Sequence, residues 1–177
     1  MTNLMSLDLV DKGLVTDQIV LTLGYDIENL TNPEISSYYK GEVTIDRYGR
    51  KTPKHAHGTI NLEKHTSSSR LIVKTAMELY ERIADKNLIV RRVTVVANPV
   101  IDEKAAQNEN TFEQLDLFTD YSKREEEKTK TEQEKNMQQA ILKMKKKYGK
   151  NTVLRGINLQ KGATTVSRNN QIGGHKA

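Results

Sequence analysis

The sequence has no cysteine and no tryptophan, and only three prolines and two phenylalanines among its 177 residues. Without cysteine the chain can form no disulfide and no thiolate metal site, and it has no thiol nucleophile. This is usual in a reducing compartment, so we expect a cytoplasmic protein. Hydrophobic residues make up 36% of the chain and the mean hydropathy is -0.68, which favours one small domain with poorly packed tails over a large enzyme core.

Long apolar segments are missing as well. No run approaches the roughly 20 apolar residues that a membrane span needs. Residues 1–10 mix Asn, Ser and Asp into the stretch that would have to be apolar in a secretory signal. We therefore expect no membrane partner and no export.

Known catalytic signatures are also absent: the phosphate-binding loop, the dinucleotide fingerprint, the hydrolase elbow and the zincin motif do not occur. Asp26, at the end of an apolar run, is the nearest candidate for holding divalent ions, but capping of a local turn explains it better. His55, His57 and His65 could offer imidazoles to a metal, although an exposed polar strand face is the simpler interpretation. We assign no catalytic residue, no metal site and no cofactor to the chain.

The positive charge is concentrated in two stretches. The formal net charge is +5, but residues 143–177 contain nine Lys or Arg and no carboxylate, so the other 142 residues carry a net charge of -4. A second basic stretch covers residues 40–70, and an acidic segment, residues 102–120, lies between the two. Two basic stretches that converge in space would favour a polyanionic partner.

Hydrophobic spacing predicts an α+β fold. Alternating apolar and polar residues predict strands over 19–25, 55–62, 88–100 and 153–157. Helical spacing predicts three helices: one that ends at Gly13, one that is capped among residues 66–68 and ends before Asn87, and one from Lys123 to Gly149. Helices that bury one face of a small four-stranded sheet leave the other face open and polar.

The remaining segments show no period. Residues 28–53 are expected to form a long connection with a turn at Tyr48-Gly49-Arg50. We expect residues 1–100 and 136–160 to form one domain, residues 101–135 to be an acidic linker that includes the start of a charged helix, and residues 161–177 to be a disordered basic tail.

Residues Gln114-Leu115-Asp116-Leu117-Phe118 place three large apolar side chains inside this acidic linker. Such a segment is typical of a docking peptide, in which Leu117 and Phe118 fill an apolar pocket of a partner, Leu115 adds contact and the amide of Gln114 fixes the register. The alternative is that Leu115 and Phe118 hold the linker against its own domain.

This pentapeptide resembles the motif with which bacterial polymerases and repair proteins bind the replication sliding clamp. With the order of predicted elements around it, the chain resembles the little-finger (C-terminal) domain of UmuC-like (ImpB/MucB/SamB) Y-family translesion DNA polymerases. The matching stretches are residues 18–27, 55–83, 87–97, 114–118 and 137–156. The resemblance implies a DNA-binding part of a polymerase that acts in the SOS response and in DNA damage repair. The parent's palm domain, with its Mg²⁺ ligands, is expected outside this chain.

The resemblance also implies that the open sheet face lies along primer-template or damaged DNA and contacts phosphates without reading the base sequence. The predicted DNA contacts are Arg50, Lys51, Lys54, His55, His57, Thr59, Arg92, Thr94, Lys150, Thr152 and Arg155. The alternative is a free-standing adaptor that binds the clamp and regulates repair without catalysis. A palm encoded in frame upstream of Met1 would favour the polymerase, and a stop codon there would favour the adaptor.

Overall fold

The computed structural model describes residues 2–109, 121–172 and 175–176. It contains two compact units, Met1–Leu115 and Asp116–Ala177. The first unit consists of α1 (Thr2–Lys12), β1 (Leu14–Tyr25), α2 (Glu28–Thr31), α3 (Pro33–Ser36), β2 (Val43–Ile45), β3 (Lys51–Pro53), β4 (Ala56–Thr66), α4 (Ser69–Ile83), β5 (Val90–Ala97), β6 (Val100–Asp102) and α5 (Glu103–Glu109).

A four-stranded antiparallel sheet forms the centre of the first unit. β1 lies in the middle and pairs with β4 on one side. On its other side it pairs with both remaining strands, with β5 along residues 19–25 and with β6 along residues 14–16. The register places Leu21 between Gly58 of β4 and Val95 of β5. The predicted α+β class and four-stranded sheet are confirmed, but the fourth strand is β6 and not residues 153–157.

Helices α1 and α4 cover one face of this sheet. Helix α4 begins after Ser68, whose hydroxyl accepts a hydrogen bond of 3.3 Å from the backbone N–H of Leu71. The core contains Leu9, Ile19, Leu21, Leu23, Ile72, Ala76 and Leu79. Because successive side chains of a strand point to opposite sides, the even-numbered residues of β1 between 18 and 24 lie on the other face.

Gly58 lies where α4 comes closest to β4. A Cβ atom at this position would be 2.9 Å from Cγ2 of Ile83 and 3.0 Å from Cδ1 of Leu79. The missing side chain therefore lets the helix pack against the strand, which explains why the apolar alternation of this strand is interrupted here.

The connection between β1 and β4 is ordered around one buried side chain. Asn29 is fully buried; its Nδ2 donates to the backbone oxygens of Asp26 and Ile89, both at 2.9 Å, and its Oδ1 accepts from the Ile89 N–H at 2.7 Å. These bonds attach α2 to the start of β5. The β2–β3 hairpin follows α3, and Gly49 has a φ of 77° in its turn, at the position predicted from the sequence.

The edge of the sheet at β4 is bonded to a helix side chain. Nη2 of Arg82, near the end of α4, donates to the backbone oxygen of Thr59 at 2.7 Å. A backbone acceptor of the edge strand is thereby occupied.

Residues 101–109 do not form a linker, so the prediction is wrong for this part of 101–135, whereas the start of a charged helix expected in the same segment is present from Tyr121. Val15 of β1 pairs with Ile101 of β6, and the backbone N–H of Glu103 donates to the oxygen of Gly13 at 2.9 Å. A strand of three residues is too short for its alternation to be recognised, and here its pairing with β1 determines the structure.

The second unit contains α6 (Tyr121–Tyr148), a 3₁₀ turn (Gly156–Leu159), α7 (Thr165–Asn169), β7 (Gln171–Ile172) and β8 (His175–Lys176). Helix α6 ends at Gly149 as predicted, with a φ of 97° and a hydrogen bond of 3.0 Å from its N–H to the Lys145 oxygen. Two of its apolar side chains are exposed, Met137 by 55% and Tyr148 by 64%.

Three sequence predictions differ from the structure of this unit. The strand predicted over 153–157 is wrong, since these residues form bends and the start of the 3₁₀ turn. The disordered tail predicted over 161–177 is also wrong for its described residues, which include α7 and the short β7–β8 pairing. Residues 136–160 belong to the second unit and not to one domain with residues 1–100.

Candidate nucleic-acid interface

The sheet face opposite α1 and α4 is polar and largely exposed. In one row across it, Thr22 of β1 lies between His57 of β4 and Thr94 of β5, and in the next Val20 lies between Thr59 and Val96. This open face consists of Gln18, Val20, Thr22, His57, Thr59, Asn61, Arg92, Thr94 and Val96. All of these from β4 and β5 are exposed, and those from β1 are half-buried.

Cross-strand hydrogen bonds hold the polar side chains of β1 and β4 in place. Nε2 of Gln18 donates to Oδ1 of Asn61 at 2.8 Å, and Oγ1 of Thr22 is hydrogen-bonded to Nδ1 of His57 at 2.9 Å. These contacts order the open face before any ligand binds, so less side-chain entropy is lost on binding.

Arg92 supplies the permanent charge of the open face. It is paired in register with Gly24, where a Cβ atom would lie 3.4 Å from the Cβ of Arg92. Within the described ranges, no carboxylate forms an ion pair with the guanidinium of Arg92. None of the open-face residues is acidic, so this positive charge is available to an anion.

Two of the basic residues predicted to contact DNA form ion pairs with carboxylates in the same segment. Arg50 donates from Nη2 to Oδ2 of Asp46 at 2.7 Å, and Lys54 donates to Oε2 of Glu42 at 2.6 Å. The Arg50 side-chain hydrogen bond holds the pKa of Asp46 down at about 2, and Glu42 raises the pKa of Lys54. Their net charge is thus balanced, which makes them weaker candidates for phosphate contacts than Arg92.

The other predicted DNA contacts fall into three groups. His55 is exposed and directly precedes β4, and Lys51 is exposed on β3. Lys150, Thr152 and Arg155 belong to the second unit, in the turns after α6, and not to a strand of the sheet. The structure therefore brings four of the predicted residues together on the open face: His57, Thr59, Arg92 and Thr94.

The clamp-binding residues 114–118 lie outside the described residues.

Sequence reasoning missed five members of the open face: Gln18, Val20, Thr22, Asn61 and Val96. The alternation of β1, β4 and β5 carried this signal, since these residues alternate with ones on the face that α1 and α4 cover. None of the five carries a charge, so the distribution of basic residues in the sequence does not point to them.

Across residues 2–109, 121–172 and 175–176, no three His, Asp or Glu side chains lie together as metal ligands would. Over the same ranges, no helix combines the length and the apolar character needed to cross a bilayer. The chain matches no family model, no curated protein and no solved structure.

Proposed function

We propose that this chain is the DNA-binding, little-finger-like part of a Y-family translesion DNA polymerase that acts in DNA damage tolerance. Its open face grips primer-template DNA through phosphate contacts, and residues 114–118 tether it to the replication sliding clamp. The observation that carries the proposal is the uncompensated Arg92 on an ordered, carboxylate-free polar sheet face. No catalytic role is proposed for any residue of the chain.

The side chains of the open face suit phosphate and sugar better than base edges. Thr59 and Thr94 are short and exposed, and they can donate hydroxyl hydrogen bonds to phosphate oxygens. Val20 and Val96 form an apolar centre that can contact deoxyribose. Contacts of this kind position a duplex without selecting its sequence, as a polymerase that accepts damaged templates requires.

We expect wild-type protein to bind duplexes of unrelated sequence with similar affinity and with a steep dependence on salt. Arg92→Ala should weaken binding to all of them about equally and lower the slope of log K against log salt by about one, because one phosphate contact is lost. Fluorescence anisotropy with labelled duplexes at several salt concentrations measures both quantities.

Arg91→Ala is the matched control. Arg91 is the neighbouring residue on β5, but it is the extra residue where the β1–β5 register shifts, and its Nε lies 3.9 Å from Oδ2 of Asp26. Its replacement should leave duplex binding nearly unchanged. An equal loss of duplex affinity in Arg91→Ala and Arg92→Ala would contradict the proposed interface. Wild-type binding that does not depend on salt would contradict it as well.

A further inference from the structure

The turn of the β2–β3 hairpin presents a tyrosine between two arginines. The side chain of Tyr48 is 66% exposed, and the guanidinium carbons of Arg47 and Arg50 lie 4.7 Å and 5.1 Å from the centre of its ring. Arg47 also donates a hydrogen bond to the Tyr48 hydroxyl. This ring contributes little to the core, and its exposed position between two guanidinium groups leaves it accessible to a ligand.

This turn is held in one conformation by Asp46. Its Oδ1 accepts from the backbone N–H groups of Tyr48 at 2.8 Å and Arg50 at 3.0 Å, and its Oδ2 accepts from the Arg50 guanidinium at 2.7 Å and 2.9 Å. The backbone N–H of Asp46 also donates to the oxygen of Arg50 at 2.9 Å. The ring of Tyr48 is therefore presented on a preformed turn, and a ligand need not order it.

The charge of the hairpin favours a polyanion. Residues 42–54 contain four basic and two acidic side chains, and both acidic ones pair with basic residues of the same segment. The unbalanced positive charges are Arg47 and Lys51, neither of which forms an ion pair with another described residue. An exposed ring with one unbalanced cation on it, Arg47, and a second unbalanced cation, Lys51, on the adjoining strand matches the base and phosphates of a nucleotide strand.

We propose that the hairpin turn binds single-stranded nucleic acid, with an unpaired base stacked on Tyr48 and with Arg47 and Lys51 on the adjacent phosphates. Arg50 is held by Asp46, whereas Arg47 is not held by any carboxylate of the described residues. The Arg47 side chain can therefore move off the Tyr48 ring, so that a base stacks there, and bind a phosphate instead. The inference rests on the proposed function only in that the partner is a nucleic acid. It adds a second site for unpaired strands, separate from the open face.

The test uses a labelled oligothymidylate of about 12 nucleotides, within the range that single-strand sites cover. Tyr48→Ala should weaken its binding about tenfold, as the loss of one stacked base does, while duplex binding stays unchanged. Tyr48→Phe keeps the ring and should bind like wild type. Tyr38→Ala is the matched control, because Tyr38 is 82% exposed, lies outside the hairpin and forms no cation–π pair within the described ranges.

The outcomes separate this inference from the proposed function. If Arg92→Ala weakens duplex binding but Tyr48→Ala leaves oligothymidylate binding unchanged, only the inference is overturned, and the hairpin is then a better candidate for a protein contact. If Tyr48→Phe loses as much oligothymidylate affinity as Tyr48→Ala, the proposal that a base stacks on this ring is wrong. If wild-type protein binds neither duplex nor oligothymidylate, both proposals fail.

Discussion

At the scale of single residues, Asp46 shows how one half-buried carboxylate can determine the conformation of a surface turn. Its two oxygens accept four hydrogen bonds, all from residues two or four positions further along the chain. Every one of these bonds favours the ionised carboxylate, and the side-chain bond from Arg50 contributes most to the lowered pKa of about 2.

The order of the hairpin should therefore depend on pH only in strong acid. The pKa of Asp46 in the folded protein lies below its ordinary value of 3.8, so its stabilising contribution is complete above about pH 4 and is lost as the pH falls toward about 2. Titration of the Asp46 carboxyl and of the Tyr48 ring resonances by NMR measures this transition. Asp46→Ala, which removes all four hydrogen bonds, should disorder the turn already at neutral pH, and a wild-type midpoint near 3.8 would contradict the structure.

At the scale of elements, the contact between α4 and β4 depends on the missing side chain of Gly58. Leu79 is fully buried and Ile83 half-buried, so neither has much room to move away from an added Cβ. The strand and the helix can approach this closely only while position 58 remains glycine.

Gly58→Val should destabilise the protein by about 1–3 kcal/mol, because overpacking forces α4 away from the sheet. Gly156→Val is the control: a Cβ at Gly156 meets nothing within 4 Å, so we expect a change below about 0.5 kcal/mol. Urea denaturation followed by circular dichroism measures the difference. If both variants lost a similar amount of unfolding free energy, steric contact between position 58 and α4 would not be the cause of the destabilisation.

The elements that could be predicted from sequence are those with a long hydrophobic period. The alternation of β1, β4 and β5 and the capped helix α4 were predicted, and with them the outward positions of Arg92 and Thr94. Residues 153–157 have the composition of a strand, but a strand also needs a partner, and the place beside residues 14–16 of β1 is taken by β6. The ion pair between Lys54 and Glu42 depends on the folding of the hairpin, which composition does not show.

At the scale of the whole molecule, the four-stranded sheet and the most basic segment of the chain belong to different units. The open face belongs to the first unit, whereas the basic residues 143–177 all belong to the second. The basic residues of the second unit are therefore not part of the open face, and the proposed clamp motif, residues 114–118, includes the point in the sequence where one unit ends and the other begins.

Leu117→Ala combined with Phe118→Ala should abolish capture of a bacterial sliding clamp in a pull-down, because both apolar anchors of the docking peptide are removed. The melting temperature should stay unchanged, since these anchors are expected to contact the partner. Ile157→Ala with Leu159→Ala, a pair exposed by 66% and 71%, is the matched control and should retain capture. A lowered melting temperature with retained capture would instead favour packing of Leu115 and Phe118 against their own domain.

The bond from Arg82 to the Thr59 oxygen also bears on self-association of the protein. An edge strand offers free backbone groups, and a second copy can add its own strand there and extend the ladder of hydrogen bonds. At Thr59 the acceptor is already engaged by a cation from α4, so an incoming strand would have to displace it and would bring two such cations together in a symmetric pair. At this position the bond from Arg82 therefore disfavours pairing of the β4 edge with a second copy.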